Sequence, residues 1–385
     1  MNILQKTTIV LLSAALLAAS NTHAQQRMEI PDIPGYKTLK CDFHLHTVFS
    51  DGSVWPTLRV NEAARDGLDV IAITEHIDYE GWPEIIDKDY NKPYEIAVEA
   101  ARNKELIVIN GGEISPRVPP YHNNAIFLED VNKLPIEYMA ETHKKFVMKD
   151  NIKKEELIAP FLEAQKQDAF VFYNHPGYSW WDKQDTAIFT SFHKELHDKG
   201  IMKGIEVVNG RYNIIAHRIA EKYNLTMLGN SDAHGDIFYT YRDSHRPMTL
   251  VFATEKSEEG VKRALLERRT AVYVDDYIIA RIPEADALFK ASLDINSEVR
   301  DRNGEPIWIV SITNNSSIPY KVRILSEHNI ENYPLGQLTF EPGKTSNVIV
   351  KELWDNPSQL TLGVQVYNII TSPDQFLETT FQIKQ

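Results

Sequence analysis

Between residues 39 and 282, short apolar runs alternate with amphipathic stretches. The runs GLDVIAIT, KELIVIN, AFVFY, KGIEVV and LTMLG have the length and the β-branched and aromatic content of buried strands. Between them, WPTLRVNEAARDG (55–67), NIKKEELIAPFLEAQKQD (151–168) and AHRIAEKYN (216–224) read as helices. This alternation predicts a parallel α/β architecture of barrel size. After about residue 290 the period shortens to two. PIWIVSITNNS, PYKVRILSEHN, QLTFEPGK, NVIVKEL, LTLGVQVYN and FLETTFQIK then predict a small antiparallel sandwich, with IPEADALFKASL (282–293) as the joint.

Composition changes this picture little. The 385 residues are 43% hydrophobic and 25% charged, ordinary for a globular chain with room for two domains. Residues 1–24 differ: Lys6 precedes the apolar run TIVLLSAALLAA, and small residues lead to an expected cut after Ala24. That run is short for a membrane span. The expectation is export by a signal peptide to the periplasm or the medium, without stable membrane insertion. Cys41 is the single cysteine, so no intrachain disulfide forms, and its apolar neighbours predict a buried, inert thiol. A net charge of −13 argues against long nucleic acid held by its backbone. It leaves small phosphorylated substrates open, because bound cations reverse local charge.

Candidate chemistry sits in five blocks: CDFHLHTVFSDG (41–52), AITEH (72–76), GGEISPRVPPYH (111–122), YNHPG (173–177) and GNSDAH (229–234). His44 and His46, two apart at a strand end, would share a face, and Asp232 and His234 repeat the spacing. Imidazoles suit zinc, manganese or iron, and carboxylates extend the choice toward harder ions. Singly, each block has a plain explanation. His44 and His46 would be solvated histidines, Asp51 a turn residue, Glu113 part of a Gly-Gly bend, and His122 and His175 loop residues. Jointly, ligands at the ends of successive strands converge on one mouth, where barrel enzymes place their chemistry. His44, His46, Asp51, His76, Glu113, His122, His175, Asp232 and His234 are therefore taken together as one metal site.

The order HxHxxxxDG, TEH, GGEI…H, NHPG, SDAH resembles that of the polymerase and histidinol phosphatase (PHP) family of metal-dependent phosphoesterases, over residues 39–290. The resemblance implies a distorted seven-stranded (β/α) barrel over 39–291, after a lead-in at 25–38 and before an all-β sandwich at 292–385. It implies two or three divalent ions (manganese, zinc or iron). His44, His46, Glu113 and Asp232 would hold the first. Glu113 would bridge to a second held by His122 and His175, and Asp51, His76 and His234 would hold a third. The implied reaction is hydrolysis of a small phosphomonoester or phosphodiester. Bridged ions lower the pKa of a water and neutralise phosphoryl charge, so the expected mechanism is in-line attack by metal-bound hydroxide without a phospho-enzyme.

Other roles follow from position. Arg117 and Arg211 are the candidate phosphate contacts, since a forked guanidinium matches phosphate. His245 is the candidate general acid, beside Arg242 and Arg246. His193 and His197 lack the HExxH order and lie in FHKELHDK, which reads as a solvated helix. Trp180 and Trp181 follow the NHPG block at a place suited to a cleft wall, but an aromatic pair is more often packing. Two other functions compete: a metallohydrolase of a non-phosphate ester or amide, and a non-catalytic protein that binds through the sandwich. The nine filled ligand positions count against the latter.

Overall fold

The computed structural model describes residues 27–140, 147–177, 188–351 and 358–384. The expected signal peptide, Trp180 and Trp181 lie outside the described residues. Among the described residues, no helix is long and apolar enough to cross a membrane.

The first part of the chain is α/β. Its strands are β1 (Lys37–Asp42), β2 (Val70–His76), β3 (Ile107–Ile114), β4 (Asn123–Ile126), β5 (Phe170–Tyr173), β6 (Met202–Asn209), β7 (Arg211–Tyr212), β8 (Thr226–Asn230), β9 (Met248–Ala253), β10 (Thr270–Val274) and β11 (Tyr277–Ala280). Helices α1 (Pro56–Asp66), α2 (Lys92–Ala101), α3 (Lys154–Lys166), α4 (Ser191–Asp198), α5 (Ile214–Lys222), α6 (Ile237–Thr240), α7 (Glu258–Leu266) and α8 (Ile282–Ala291) connect them. Local chemistry sets the ends of α1. Pro56 opens it with a preset φ, and Gly67 closes it at φ +76° while Leu68 N–H donates to Ala63 O. Every residue of β2 is buried, as expected of a strand covered on both faces.

The sheet is mixed rather than purely parallel, a departure from the sequence expectation. β1–β2, β2–β3, β5–β6 and β6–β8 pair parallel, whereas β3–β4, β4–β5 and β1–β9 pair antiparallel. The cause is the loop at 115–122, which turns the chain back so that β4 descends beside β3. β4 reads NNAI, and its two asparagines hide it from a search for apolar runs. At the far side the sheet curls. Thr249 Oγ1 donates to Gly229 O and accepts from Gly229 N–H (2.9 Å each), and Thr270 Oγ1 donates to Met227 O, which brings β8 against β9 and β10. A Cβ at Gly229 would fall 2.2 Å from Val272 Cγ1, so only glycine permits this approach. Cys41 is buried in this sheet and its thiol is pushed well up by burial, as an inert role requires.

The second part is β-rich. β12 (Leu293–Arg302), β13 (Glu305–Asn314), β17 (Thr345–Lys351) and β15 (Asn329–Ile330) form one sheet in the order β12-β13-β17-β15. β14 (Tyr320–Leu325), β16 (Gln337–Phe340), β18 (Gln359–Ser372) and β19 (Gln375–Lys384) form the facing layer. Alternate residues such as Trp308, Val310 and Ile312 face Val322, Val364 and Val366 in one apolar core. Trp354 lies outside the described residues. The two parts share a sheet: β11 pairs in parallel with β18, Ile278 opposite Ile369. Phe289 of α8 reinforces the joint, 5.0 Å from the ring of Tyr320 and 5.8 Å from that of Phe381.

Candidate metal centre

The strands deliver all nine expected side chains to one end of the α/β sheet. Beyond β1 the chain stays extended between its neighbours: His46 N–H donates to Ala233 O, and Thr74 N–H to Leu45 O. His44 and His46 therefore keep a common face. His76 ends β2 in register with Glu113 of β3. β4 runs antiparallel, so its N-terminal end lies where the parallel strands finish, and His122, just before it, arrives there too. His175 follows β5, and Asp232 and His234 follow β8. In the turn that presents Asp51, a Cβ at Gly52 would meet Thr47 N at 2.7 Å, so glycine is required.

Within the cluster the side chains form overlapping groups. His44 Nε2 and His46 Nε2 are 3.0 Å apart, and each lies 3.2 Å from Asp232 Oδ1. Glu113 divides its two oxygens. Oε2 stands 3.2 Å from His46 Nε2, 3.4 Å from His44 Nε2 and 3.0 Å from His76 Nδ1. Oε1 stands 2.8 Å from His122 Nδ1 and 3.7 Å from His175 Nε2. Asp51 spans the remaining pair, with Oδ1 3.2 Å from His234 Nε2 and Oδ2 3.4 Å from His76 Nε2. The Asp51 and His234 side chains are 27% and 40% exposed, whereas those of His44 and Glu113 are at most 1% exposed, so the cluster opens to solvent on the Asp51 side.

Electrostatics keep the acids ionised. Burial pushes the Glu113 carboxyl up, but the imidazoles of His76, His122 and His44 outweigh it and hold it well below the usual carboxylate range. Asp51 and Asp232 are lowered against burial in the same way, Asp51 chiefly by His76 and Asp232 chiefly by His44. Burial would lower His44, yet Asp232, Glu206 and Glu113 raise it well above the ordinary histidine value.

This donor set fits divalent cations. Asp51 Oδ1 and Asp232 Oδ1 are buried without an aligned hydrogen bond. Anionic oxygens buried without an aligned donor are costly unless a cation meets them. Atoms bonded to zinc at about 2.1 Å stand about 3.0–3.4 Å from one another. The spacings among His44, His46, Asp232 and Glu113 Oε2 lie in that range.

The PHP domain model matches residues 42–232, and an Ig-like domain model matches residues 293–382. The chain is similar to a crystal structure of a two-domain protein from Bacteroides vulgatus containing a predicted PHP-like metal-dependent phosphoesterase. Identity is 37%, coverage is 93% of this chain and 98% of that one, and the TM-score is 0.79. The chain belongs to the PHP family. An 84-residue stretch is also 38% identical to an uncharacterized protein of Methanocaldococcus jannaschii, covering 21% of this chain and 36% of that protein.

Around the ligand cluster of the PHP domain stand polar residues outside the nine. Asn174 Nδ2 donates to Glu113 Oε1 at 2.9 Å, and Ser115 Oγ lies 2.8 Å from His76 Nδ1. Arg59 is buried on α1, where Nε donates to His46 O and Nη2 to Ala233 O, both at 2.9 Å. It thereby ties the first block to the last. Glu75 accepts from Thr47 N–H and from the Ser50 hydroxyl, fixing the turn before Asp51. Glu206, buried on β6, lies 2.9 Å from His44 Nδ1. Its only sequence signal is an acid inside the apolar run KGIEVV. β6 thus carries none of the nine, and it contributes Glu206 and Asn209. Two of the nine hold a positive φ, His175 at +27° and Asp232 at +52°, local strain that the surrounding structure sustains.

Other expected roles fare differently. His245 is not brought to the cluster, a correction to its role as general acid. Its Nδ1 lies 2.8 Å from Arg246 O and its Nε2 3.3 Å from Asp66 O, at the C-terminal end of α1. That end is about 15 Å along the helix from the ligand-bearing loop, and burial lowers the pKa of His245. Arg246 is a buried structural cation paired with Asp66 and Asp42, and Arg242 pairs with Asp243. Arg211 is exposed in the β6–β7 hairpin opposite Asn209, whose Nδ2 lies 3.3 Å from Asp232 Oδ2. Arg117 is exposed on the loop between Glu113 and His122. His193 is not solvated. It is buried against Tyr173 (ring centroids 4.3 Å apart), with Nε2 2.8 Å from Pro120 O.

Proposed function

We propose that the chain is an exported phosphoesterase that hydrolyses a small phosphomonoester or phosphodiester with two or three divalent ions. The observation that carries this reading is the division of Glu113, one oxygen toward His44 and His46 and the other toward His122 and His175. A carboxylate so divided suits two ions held side by side, within the family's distorted barrel. When bound, such ions supply Lewis acidity toward phosphoryl oxygens and a water acidic enough to be hydroxide at neutral pH. His44, His46, Glu113 and Asp232 would hold the first ion, Glu113, His122 and His175 the second, and Asp51, His76 and His234 a third.

The chain's own residues orient the reaction. Arg211 and Arg117, exposed beside the cluster, would bind the phosphoryl oxygens. Trp55 and Trp82 stand exposed on the loops that follow Asp51 and His76, and Tyr239 stands exposed on the short helix α6 after His234; all three would flank the alcohol part of the ester. The apolar leader at 1–24 supports export.

The test is hydrolysis of a panel of mono- and diesters by manganese- or zinc-loaded protein, read as freed phosphate from the monoesters and as freed alcohol from the diesters, with inorganic phosphate as a competitive inhibitor. Hydrolysis of carboxylic esters or amides, insensitive to phosphate, would replace this reading with a metallohydrolase of another substrate class.

A further inference from the structure

Glu206 is 1% exposed, yet its carboxylate touches three of the segments that carry ligands. Oε1 lies 2.9 Å from His44 Nδ1 and accepts from Asn230 Nδ2 at 2.9 Å. Oε2 accepts from the His175 backbone N–H at 2.7 Å and from Asn209 Nδ2 at 2.9 Å. Asn230 lies two residues before Asp232, and Asn209 Nδ2 also lies 3.3 Å from Asp232 Oδ2. Four nitrogens thus converge on two oxygens of one side chain. Three are N–H donors whatever the protonation of the site, because they belong to amides.

We infer that Glu206 is a positioning residue that fixes the ring orientation and tautomer of His44, and with them the affinity of the first ligand group. An ionised carboxylate can only accept, so the short contact at His44 Nδ1 requires the ring proton there. In the neutral ring that a bound cation requires, Nε2 then keeps its lone pair, facing His46 Nε2, Glu113 Oε2 and Asp232 Oδ1. A carboxylate behind a ligating imidazole also raises its basicity, and loss of such a partner weakens metal binding by about 10–100-fold. Glu206 touches no ion itself, because both of its oxygens are already occupied. Nor can an amide replace it. Glutamine offers one acceptor oxygen, and its NH2 would point at either the Asn230 and His44 donors or the His175 and Asn209 donors.

The inference rests on the metal-site reading above. The experiment compares wild-type protein with Glu206→Gln, first stripped of metal and then titrated with zinc against a competing chelator. Melting and circular dichroism of the stripped forms are recorded alongside. The expected result is a folded variant whose tightest zinc binding is weakened by about 10–100-fold. Wild-type zinc affinity in a folded variant overturns the role of Glu206. Failure of the wild type to bind zinc overturns the metal reading instead. If the variant does not fold, nitrogen NMR of histidine-labelled, zinc-loaded wild type decides. A proton on His44 Nδ1 supports the inference, and a bare Nδ1 overturns it.

Discussion

The Nε2 atoms of His44 and His46 face each other at 3.0 Å. Two protonated nitrogens cannot meet at that distance, and both also point at Asp232 Oδ1. A divalent cation removes this conflict and the cost of burying the acids. Chelation should therefore destabilise the protein. An ion present at 100 times its dissociation constant contributes about 2.7 kcal/mol, or about 5–10 °C in the melting temperature of a domain this size. Scanning calorimetry with EDTA, then with excess zinc or manganese, checks this. An identical melting temperature in both would contradict it.

Arg211 is expected to act on substrate binding. It stands exposed opposite Asn209 and touches none of the nine ligands in the register of the hairpin. Arg211→Ala should raise KM about 10-fold and leave kcat within about twofold, the pattern of a uniform binding contact. Steady-state kinetics on the best ester decide. A fall in kcat at constant KM would place the guanidinium in the transition state alone.

His193 makes the fold acid-sensitive. Burial lowers its pKa to about 4, against about 6.5 in an unfolded chain. Between those values the unfolded state binds a proton that the folded state does not, so stability falls as pH drops from 6.5 toward 4. The loss amounts to about 3 kcal/mol, and His217, also lowered to about 4, acts in the same direction. Urea unfolding of metal-free protein at pH 7 and pH 4.5 measures it. His193→Gln should be less stable at pH 7 but should lose less on acidification. Equal losses in both proteins would show that His193 does not govern the acid limb.

The sequence exposed the chemistry better than the topology. All nine clustered residues lie in short blocks at strand ends, because ligands for one ion must come from adjacent strands and strand ends are where side chains converge. Runs that alternate strictly, such as LTLGVQVYN, also announced their strands. β4 was hidden because NNAI turns its polar side chains into a hydrogen-bonded interior, where Asn124 Oδ1 accepts from Asn174 Nδ2 and Asn123 Nδ2 donates to Pro120 O. β12 was hidden because LDINSEVRDR buries only alternate positions, and those incompletely. Glu206 and Arg59 are single polar residues in apolar or amphipathic stretches, and only tertiary contacts give them meaning. His193 misled for the opposite reason: its helix is charged, but its own face is covered by Tyr173 and Phe189.

The joint between the two parts carries its own expectation. β11 uses β18 as its neighbour, and Ala285, Leu288 and Phe289 of α8 belong to the same core as Trp308. Removing residues 292–385 would leave a bare strand edge beside an uncovered apolar helix face. The fragment ending at 291 should aggregate, as judged by light scattering after expression. A monodisperse fragment with the melting temperature of the full chain would show that the shared sheet is dispensable.

In the proposed reaction, Glu113 and its eight partners hold the ions at which a phosphoester is hydrolysed. The most direct measurement is hydrolysis of the best ester, followed as freed phosphate from a monoester or freed alcohol from a diester, by metal-free protein as manganese or zinc is added in known equivalents, with Glu113→Gln and His46→Ala beside the wild type. Activity should be absent without metal and rise as about two equivalents bind. It should fall by more than about 100-fold in both variants, which lose ligands rather than their support. Full turnover in the presence of chelator, or in Glu113→Gln, would contradict the account.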